Sequence, residues 1–299
     1  MSKQAEAFEK KYKIAGTIVA LESDFSFDYS NLKPFEISSE ELPDLKIRAF
    51  HHDLTDVREN FGASILSSPY MYVHECNNVY RFYYKNTPDI HYCEYDSVNH
   101  TADIVILSKA KDSAGFKDFT FEDHLFYALR DAFFFFCQQH GMIALHSSSI
   151  VYNGRAYLFS APSGTGKTTH TNLWEEYCDV KPLNGDVAML SVQDGGVYVH
   201  GIPWCGTSEK YSNVTVPLGN IIFLKRAGSN EISPMNSFEA VLNICSRSFS
   251  PNWNKSLGER TLNVAKEIVE KQPCLLLKCL PEKSAMELVK DYIDTEKSR

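Results

Sequence analysis

The chain has no long apolar run. Nothing in it approaches the roughly 20 residues a helix needs to cross a bilayer, so neither a membrane span nor a membrane partner is expected. It has no block of Lys and Arg, and its net charge is −8; a nucleic-acid partner is not expected. It has no Cys-x-x-Cys pair. The eight cysteines stand singly at 76, 93, 137, 178, 205, 245, 274 and 279. That spacing argues against a disulfide frame or a zinc site, and for reduced thiols in a cytoplasmic setting. The start, Met1-Ser2-Lys3-Gln4-Ala5-Glu6, is polar and lacks the apolar centre of a secretory signal. There is no internal repeat and no low-complexity segment.

What is present suffices for two ordinary domains: 299 residues, 43% hydrophobic and 13% aromatic. Residues 1 to about 118 read mostly as strand, rich in Val, Ile, Tyr and Phe. The expected strands are Lys13–Leu21, Lys46–His51, Met71–Glu75, Val79–Lys85, Ile90–Tyr95 and Ala102–Leu107, with hairpin turns at Cys76–Asn78 and Asp96–Asn99. Ser38–Glu41 and Asp53–Phe61 read as short helices or loops, and Gly115–Phe119 as a junction. Thr120-Phe121-Glu122-Asp123 is a capping box. It opens a helix whose Leu125, Ala128, Leu129, Ala132, Phe133 and Phe136 share one face and serve packing; Gly141 ends it. From Ile143 short apolar strands alternate with helices. The expected elements are strands Ile143–Tyr152, Arg155–Ser160, Val187–Val192, Val197–His200, Asn220–Lys225 and Cys274–Leu280. The helices fall at Lys167–Tyr177, Phe238–Ser246, Arg260–Lys271 and Ser284–Ile293. Such a mixture implies an α/β or α+β nucleotide domain.

The most informative stretch is Tyr157–Thr169, YLFSAPSGTGKTT. A buried-strand run leads into a loop of small residues, and Gly166-Lys167-Thr168 opens a helix, the context a phosphate-cradling loop requires. Glycines let the backbone come close enough to aim N–H groups at phosphate oxygens, and the helix adds its positive end. Ser163, Gly164, Thr165, Gly166, Lys167, Thr168 and Thr169 are the expected cofactor-binding residues. Lys167 reaches the terminal phosphates and the Thr168 hydroxyl faces Mg²⁺. Ala161 replaces the usual first glycine, so Ser163–Gly166 must supply the tight turn.

Three further segments gather around the loop. Leu145-His146-Ser147-Ser148-Ser149 lies two strands upstream, where a hairpin can return His146 to the phosphate end. A lone histidine is more often structural, but the neighbouring serines favour a polar site. In Asn184-Gly185-Asp186, an acid opens an apolar strand, where a second Mg²⁺ contact belongs, because Mg²⁺ prefers hard oxygen ligands. Gly201-Ile202-Pro203-Trp204-Cys205-Gly206-Thr207 specifies a shaped loop. Trp204 and Gly206 stand equally for a core plug and for a substrate contact. Arg247 is a further candidate for contacting the transferred phosphate.

The run from Leu145 to Trp174, LHSSSIVYNGRAYLFSAPSGTGKTTHTNLW, resembles the nucleotide site of the HPr kinase/phosphoenolpyruvate carboxykinase superfamily. The Ser163–Thr169 core resembles that of ATP-dependent phosphoenolpyruvate carboxykinases. Leu145–Ser148 is similar to their Met-His-Cys-Ser segment, and Asn184–Asp186 to their Gly-Asp-Asp. HPr kinases share the order of histidine, phosphate loop and acid pair, and Leu275–Ile293 is similar to their strand–Pro–Glu–helix tail. The likeness covers about residues 140–225 well; the first 118 residues match neither family.

The expected fold is α+β: the strand pattern gives an N-terminal antiparallel β domain, 1–118, and the resemblance implies a P-loop α/β nucleotide-binding domain, 119–299, after it. It implies ATP and Mg²⁺ as cofactors, with Lys167, Asp186 and His146 catalytic and Thr168 and Asp186 on the metal. Gly185 departs from the pattern, standing where the first acid of the pair belongs, which leaves the general base open between Asp186 and His146. A carboxykinase is larger and needs more arginines than Arg226, Arg247 and Arg260 supply. The expectation is a serine-type kinase acting on a peptide or small protein. A catalytically inactive nucleotide-binding regulatory module and a small-molecule kinase are the alternatives. HPr kinases are hexameric, which raises the expectation of a homo-oligomer.

Overall fold

The computed structural model describes residues 8–52, 61–68, 70–85, 87, 89–107, 120–251 and 253–296. The chain divides into two compact units, Met1–Phe136 and Cys137–Arg299. The reading at Asp53–Phe61, except Phe61 itself, and those at Gly115–Phe119 and the expected break at 118 lie outside the described residues. Both units mix sheet with helix, and the described residues hold two large sheets and five α-helices. No helix among the described residues is long and apolar enough to cross a membrane. All eight cysteines are free thiols.

The first unit contains strands β1 (Phe8–Ile14), β2 (Thr17–Ser23), β3 (Glu36–Ile37), β4 (Leu45–His52), β5 (Ala63–Ser67), β6 (Met71–Cys76), β7 (Val79–Tyr84), β8 (Ile90–Asp96) and β9 (Thr101–Leu107). They form one sheet in the order β3-β1-β2-β4-β9-β8-β7-β6-β5. The expected single strand Lys13–Leu21 is instead a hairpin. Ala15 and Gly16 both take positive φ, 51° and 84°, which turns the chain back with the twist two-residue hairpins favour. The expected antiparallel sheet is also corrected: β2–β4 and β4–β9 pair in parallel, because the long connections on either side of β4 let it enter in the same direction as its neighbours. The hairpin turns at Asn77-Asn78 and Ser97–His100 are present. Asp96 Oδ1 accepts from the N–H groups of Val98 and Asn99, at 2.9 and 3.0 Å.

Helix α1 (Phe121–Gln139) begins at the expected capping box. Asp123 N–H donates to Thr120 Oγ1 at 3.2 Å, and Thr120 N–H donates to Asp123 Oδ2 at 2.8 Å. Its Phe135 ring meets Tyr80, Phe82 and Tyr95 edge-on.

In the second unit β10 (Ile143–His146), β11 (Ser148–Tyr152) and β12 (Arg155–Ser160) precede α2 (Lys167–Cys178). There follow β13 (Lys181–Asn184), β14 (Val187–Gln193), β15 (Gly196–His200), β16 (Thr215–Arg226), β17 (Glu231–Pro234), α3 (Ser237–Arg247), α4 (Lys255–Lys271), β18 (Leu275–Cys279) and α5 (Lys283–Glu296). The expected strand Ile143–Tyr152 breaks at Ser147, whose hydroxyl bonds back to the Leu145 carbonyl. This lets β10 pair with β14 while β11 pairs with β12 and β13. Helix α4 starts earlier than the periodicity implied, because Asn254 caps it through the Leu257 N–H.

The sheet runs β10-β14-β15-β16-β12-β11-β13, with β18 also on β16. The period-2 alternation of strands divides its core in two. Ala156 and Leu158 of β12 join Ala240, Ile244, Ala265 and Ile268 of α3 and α4. Tyr157 and Phe159 join Trp174 of α2 and Met286, Val289 and Ile293 of α5. Buried on both faces, β12 reads as a continuous apolar run. Strands β12, β16 and β18 are mutually parallel, so Ser160, Arg226 and Cys279 end on the same side, where open α/β sheets bind ligands.

Candidate active site

The loop between β12 and α2 turns on two glycines. Gly164 has φ +72° and Gly166 φ +119°, left-handed conformations that strain any side-chain-bearing residue. Ala161 is buried and takes no such conformation, so the turn is made where the substitution of its usual glycine required. Ser163, Gly164, Thr168 and Thr169 are exposed. No side chain caps the α2 N-terminus, and the first N–H groups of a helix have no partner within it. An exposed, uncapped helix start behind a glycine turn suits an anion. Arg226, at the end of β16, donates from Nη2 to the Gly164 carbonyl and from Nε to the Thr165 carbonyl at 3.4 Å, clamping the loop from outside.

Lys167 is only 8% exposed, and its Nζ donates to the Ala161 carbonyl at 3.2 Å. Burial pushes its pKa down; Asp186 opposes that shift and Arg247 adds to it. The strand break at Ser147 and the β10–β14 pairing bring His146 beside Asp186, with Nε2 and Oδ1 3.6 Å apart. Burial lowers the His146 pKa, Asp186 raises it, and Lys167 and Arg247 lower it. The imidazole also stacks on Phe249 at 6.3 Å, because the segment after α3 returns along β10. That return places Arg247 in the same field. Its guanidinium bonds Asn243 Oδ1 and lies over the Phe223 ring at 5.4 Å, its Nε is buried without a hydrogen-bond partner, and burial lowers its pKa. Lys167, His146, Asp186 and Arg247 thus converge electrostatically.

Asp186 follows Asn184, which is fully buried. The Asn184 carboxamide accepts from Asp186 N–H and Val187 N–H, and donates to the carbonyls of Ile202 and Trp204. The Trp204 side chain is buried. A Cβ at Gly206, whose φ is +59°, would stand 3.0 Å from the Asp186 Cγ, so the glycine seats the carboxylate without covering it. A Cβ at Gly185 would meet Ser208 Oγ at 1.9 Å. Ser147 and Ser149 serve the backbone rather than substrate: Ser149 Oγ bonds the Asn184 backbone, and Ser147 N–H donates to the Asp186 carbonyl.

Among the described residues no cluster of three or more His, Cys, Asp and Glu side chains could cage a metal. The donor set fits Mg²⁺ in its usual setting of one or two protein oxygens plus phosphates and water: one carboxylate, Asp186, and the exposed hydroxyl of Thr168. Beside the loop lies a pocket of about 460 Å³ lined by Gly164–Gly166, Thr169, His170, Arg226, Ala227 and Cys279–Pro281. Sequence reasoning missed Asn184, Ser208 and the Arg226 clamp. The position of Arg226 at the end of a strand parallel to β12 is the one signal that pointed to it.

The family model described as SynChlorMet cassette protein ScmC matches residues 124–282. No curated protein matches the chain. Among solved structures the chain is similar to the Hpr(Ser) kinase/phosphatase from Coxiella burnetii, at 9% identity and a TM-score of 0.30, covering 52% of this chain and 95% of that one.

Proposed function

The chain belongs to the SynChlorMet cassette protein ScmC family, and we propose that it is an ATP- and Mg²⁺-dependent kinase. It transfers the γ-phosphoryl group to a hydroxyl, that of serine, on a peptide or small protein. The observation that carries this reading is the convergence of Lys167, His146, Asp186 and Arg247 beside a glycine turn that opens an uncapped helix.

Backbone amides at 163–168 hold the phosphate tail, and Lys167 lies along the β- and γ-phosphates. The pocket at the carboxyl ends of β12, β16 and β18 takes the base and ribose. Asp186 and Thr168 hold the ion, which supplies neutralisation of the charge on the phosphate oxygens. His146, whose pKa burial lowers, is neutral at pH 7 and accepts the hydroxyl proton at Nε2, with Asp186 3.6 Å away to stabilise the imidazolium. Arg247 faces the transferred group. Phosphoryl transfer is mostly positioning and charge neutralisation, so a modest base suffices. The first unit recognises the acceptor, with β5, the last strand of its sheet among the described residues, as the edge for strand addition. Free thiols accord with a cytoplasmic setting.

One observation favours a second reading, a nucleotide-binding regulatory module without turnover: Ser208 fills the space a first acid would need at Gly185. The two readings separate when protein, Mg²⁺ and γ-labelled ATP are incubated with and without candidate acceptors. Since the family's description names cassette proteins, products encoded in the same cassette come first. Label transfer that Lys167→Ala abolishes supports the kinase. Tight ATP binding with no transfer to any hydroxyl supports the module.

A further inference from the structure

We infer that Asn184 is a positioning residue that sets the Asp186 carboxylate for its divalent ion and ties it to the 202–206 loop. The inference rests on the reading of Asp186 as the metal acid. The Asn184 side chain is fully buried, and its carboxamide uses its whole hydrogen-bonding capacity. Oδ1 accepts from Asp186 N–H at 2.9 Å and Val187 N–H at 3.0 Å. Nδ2 donates to the Ile202 carbonyl at 2.9 Å and the Trp204 carbonyl at 3.1 Å. The first pair of bonds shapes the turn that carries Asp186, an Asx-type arrangement. The second pair holds the strand-to-loop segment leading to Gly206, whose Cα backs the same carboxylate. One buried amide therefore ties the turn that carries the carboxylate to the segment leading to the glycine beside it. No other uncharged side chain of this length offers two acceptor sites on one atom and two donors on the next; Gln would overshoot. Ser149 Oγ holds the Asn184 backbone in turn, accepting from its N–H at 3.1 Å and donating to its carbonyl at 3.2 Å. The phosphate loop takes no part in this bracket, so the two should separate in binding.

The experiment compares wild type, Asn184→Asp and Gly206→Ala. The aspartate variant keeps both acceptor bonds and loses both donor bonds. The alanine variant disturbs the same carboxylate from an exposed loop position and leaves the buried amide alone. Two affinities are read on folded protein: ATP binding in EDTA, by calorimetry, and Mn²⁺ binding to the protein–ATP complex, by electron paramagnetic resonance. The expected result is a tenfold or greater loss of Mn²⁺ affinity in both variants, with metal-free ATP affinity within twofold of wild type. Mn²⁺ affinity unchanged in folded Asn184→Asp, or both affinities falling together, overturns the inference while leaving Asp186 in place. Should Asn184→Asp not fold, Asn184→Ser, which lacks the amide that donates to the Ile202 and Trp204 carbonyls, is read in its place: unchanged Mn²⁺ affinity there overturns the inference and a selective loss upholds it. A wild-type ATP complex that binds no Mn²⁺ removes the reading of Asp186 itself, and the inference with it.

Discussion

Gly185 and Ser208 share one space: a Cβ on the glycine would stand 1.9 Å from the serine Oγ and 2.4 Å from its Cβ. Ser208 is held there, donating to the Cys205 carbonyl at 2.6 Å. The glycine is thus part of how the Gly206–Ser208 turn packs, and the missing acid of the doublet cannot be restored by one substitution. Gly185→Asp should not raise turnover. Gly185→Ala should cost about 1–3 kcal/mol by overpacking, and Ser208→Gly in that background should recover most of it. Urea denaturation of the four members of this cycle measures the coupling. A stability of Gly185→Ala within about 0.5 kcal/mol of wild type would show that the turn yields freely.

On the proposed reading Asp186 holds the ion and His146 takes the proton, so their variants should differ in kind. Asp186→Asn should lower Mg²⁺-dependent turnover by about 10³-fold, a loss of about 4 kcal/mol in transition-state stabilisation. Its melting temperature should hold, since the side chain is 34% exposed. His146→Ala should lower turnover while ATP affinity stays within about twofold. Near-full activity in the first variant removes Asp186 from the mechanism. A lower melting temperature with unchanged turnover makes His146 structural.

How far the sequence carried the reading follows from which contacts are local. The strand, glycine turn and helix at 155–178 were legible because β12, the two glycines and α2 are contiguous, and each obeys a short-range rule. His146 was legible because a hairpin could return it to the loop, and Asp186 because it opens an apolar strand; that the two stand 3.6 Å apart was not, because β10 and β14 are far apart in sequence. The Ala15-Gly16 turn was hidden because its flanks are both β-formers, and a glycine inside such a run reads as a tolerated defect. The parallel entry of β4 was hidden because strand partners far apart in sequence leave no local mark. Asn184 serves as a turn residue through its Oδ1. Its other half bonds a loop 18 to 20 residues away, and nothing near Asn184 encodes that.

Arg226 bonds the Gly164 and Thr165 carbonyls through two guanidinium nitrogens, so it holds the loop in the shape that, on the proposed reading, presents amides to phosphate. Net hydrogen bonds of this kind contribute about 1 kcal/mol each. Arg226→Ala should therefore weaken ATP binding by about 5- to 30-fold. Arg226→Lys should recover little, because lysine lacks the planar fork. Inorganic tripolyphosphate should lose affinity to the same degree as ATP, if the clamp acts on the loop. A loss for ATP with none for tripolyphosphate would instead assign Arg226 to the base pocket. Competition against a fluorescent nucleotide reads both.

His200 predicts how the second unit responds to acid. The ring is 4% exposed. Its Nε2 lies 2.8 Å from Ser191 Oγ, its Nδ1 lies 2.8 Å from Thr215 Oγ1, and burial pushes its pKa down to about 4. In the unfolded chain the same ring titrates near 6.5, so between these values the unfolded state binds a proton that the fold refuses. Stability is full above about pH 6.5 and falls as the pH drops toward 4, by about 2 kcal/mol at pH 5. His170, also pushed to about 4 by burial, adds a similar slope. His200→Gln keeps a neutral donor and acceptor and removes one of the two titrations. Whatever it costs at pH 7, its loss of unfolding free energy between pH 7 and pH 5 should be smaller than that of wild type by about 2 kcal/mol. Because His170 is present in both proteins, its share cancels from the comparison. Equal losses in the two proteins would mean that the folded protein takes up the proton at His200, with the two hydroxyls turning to accept from both ring nitrogens.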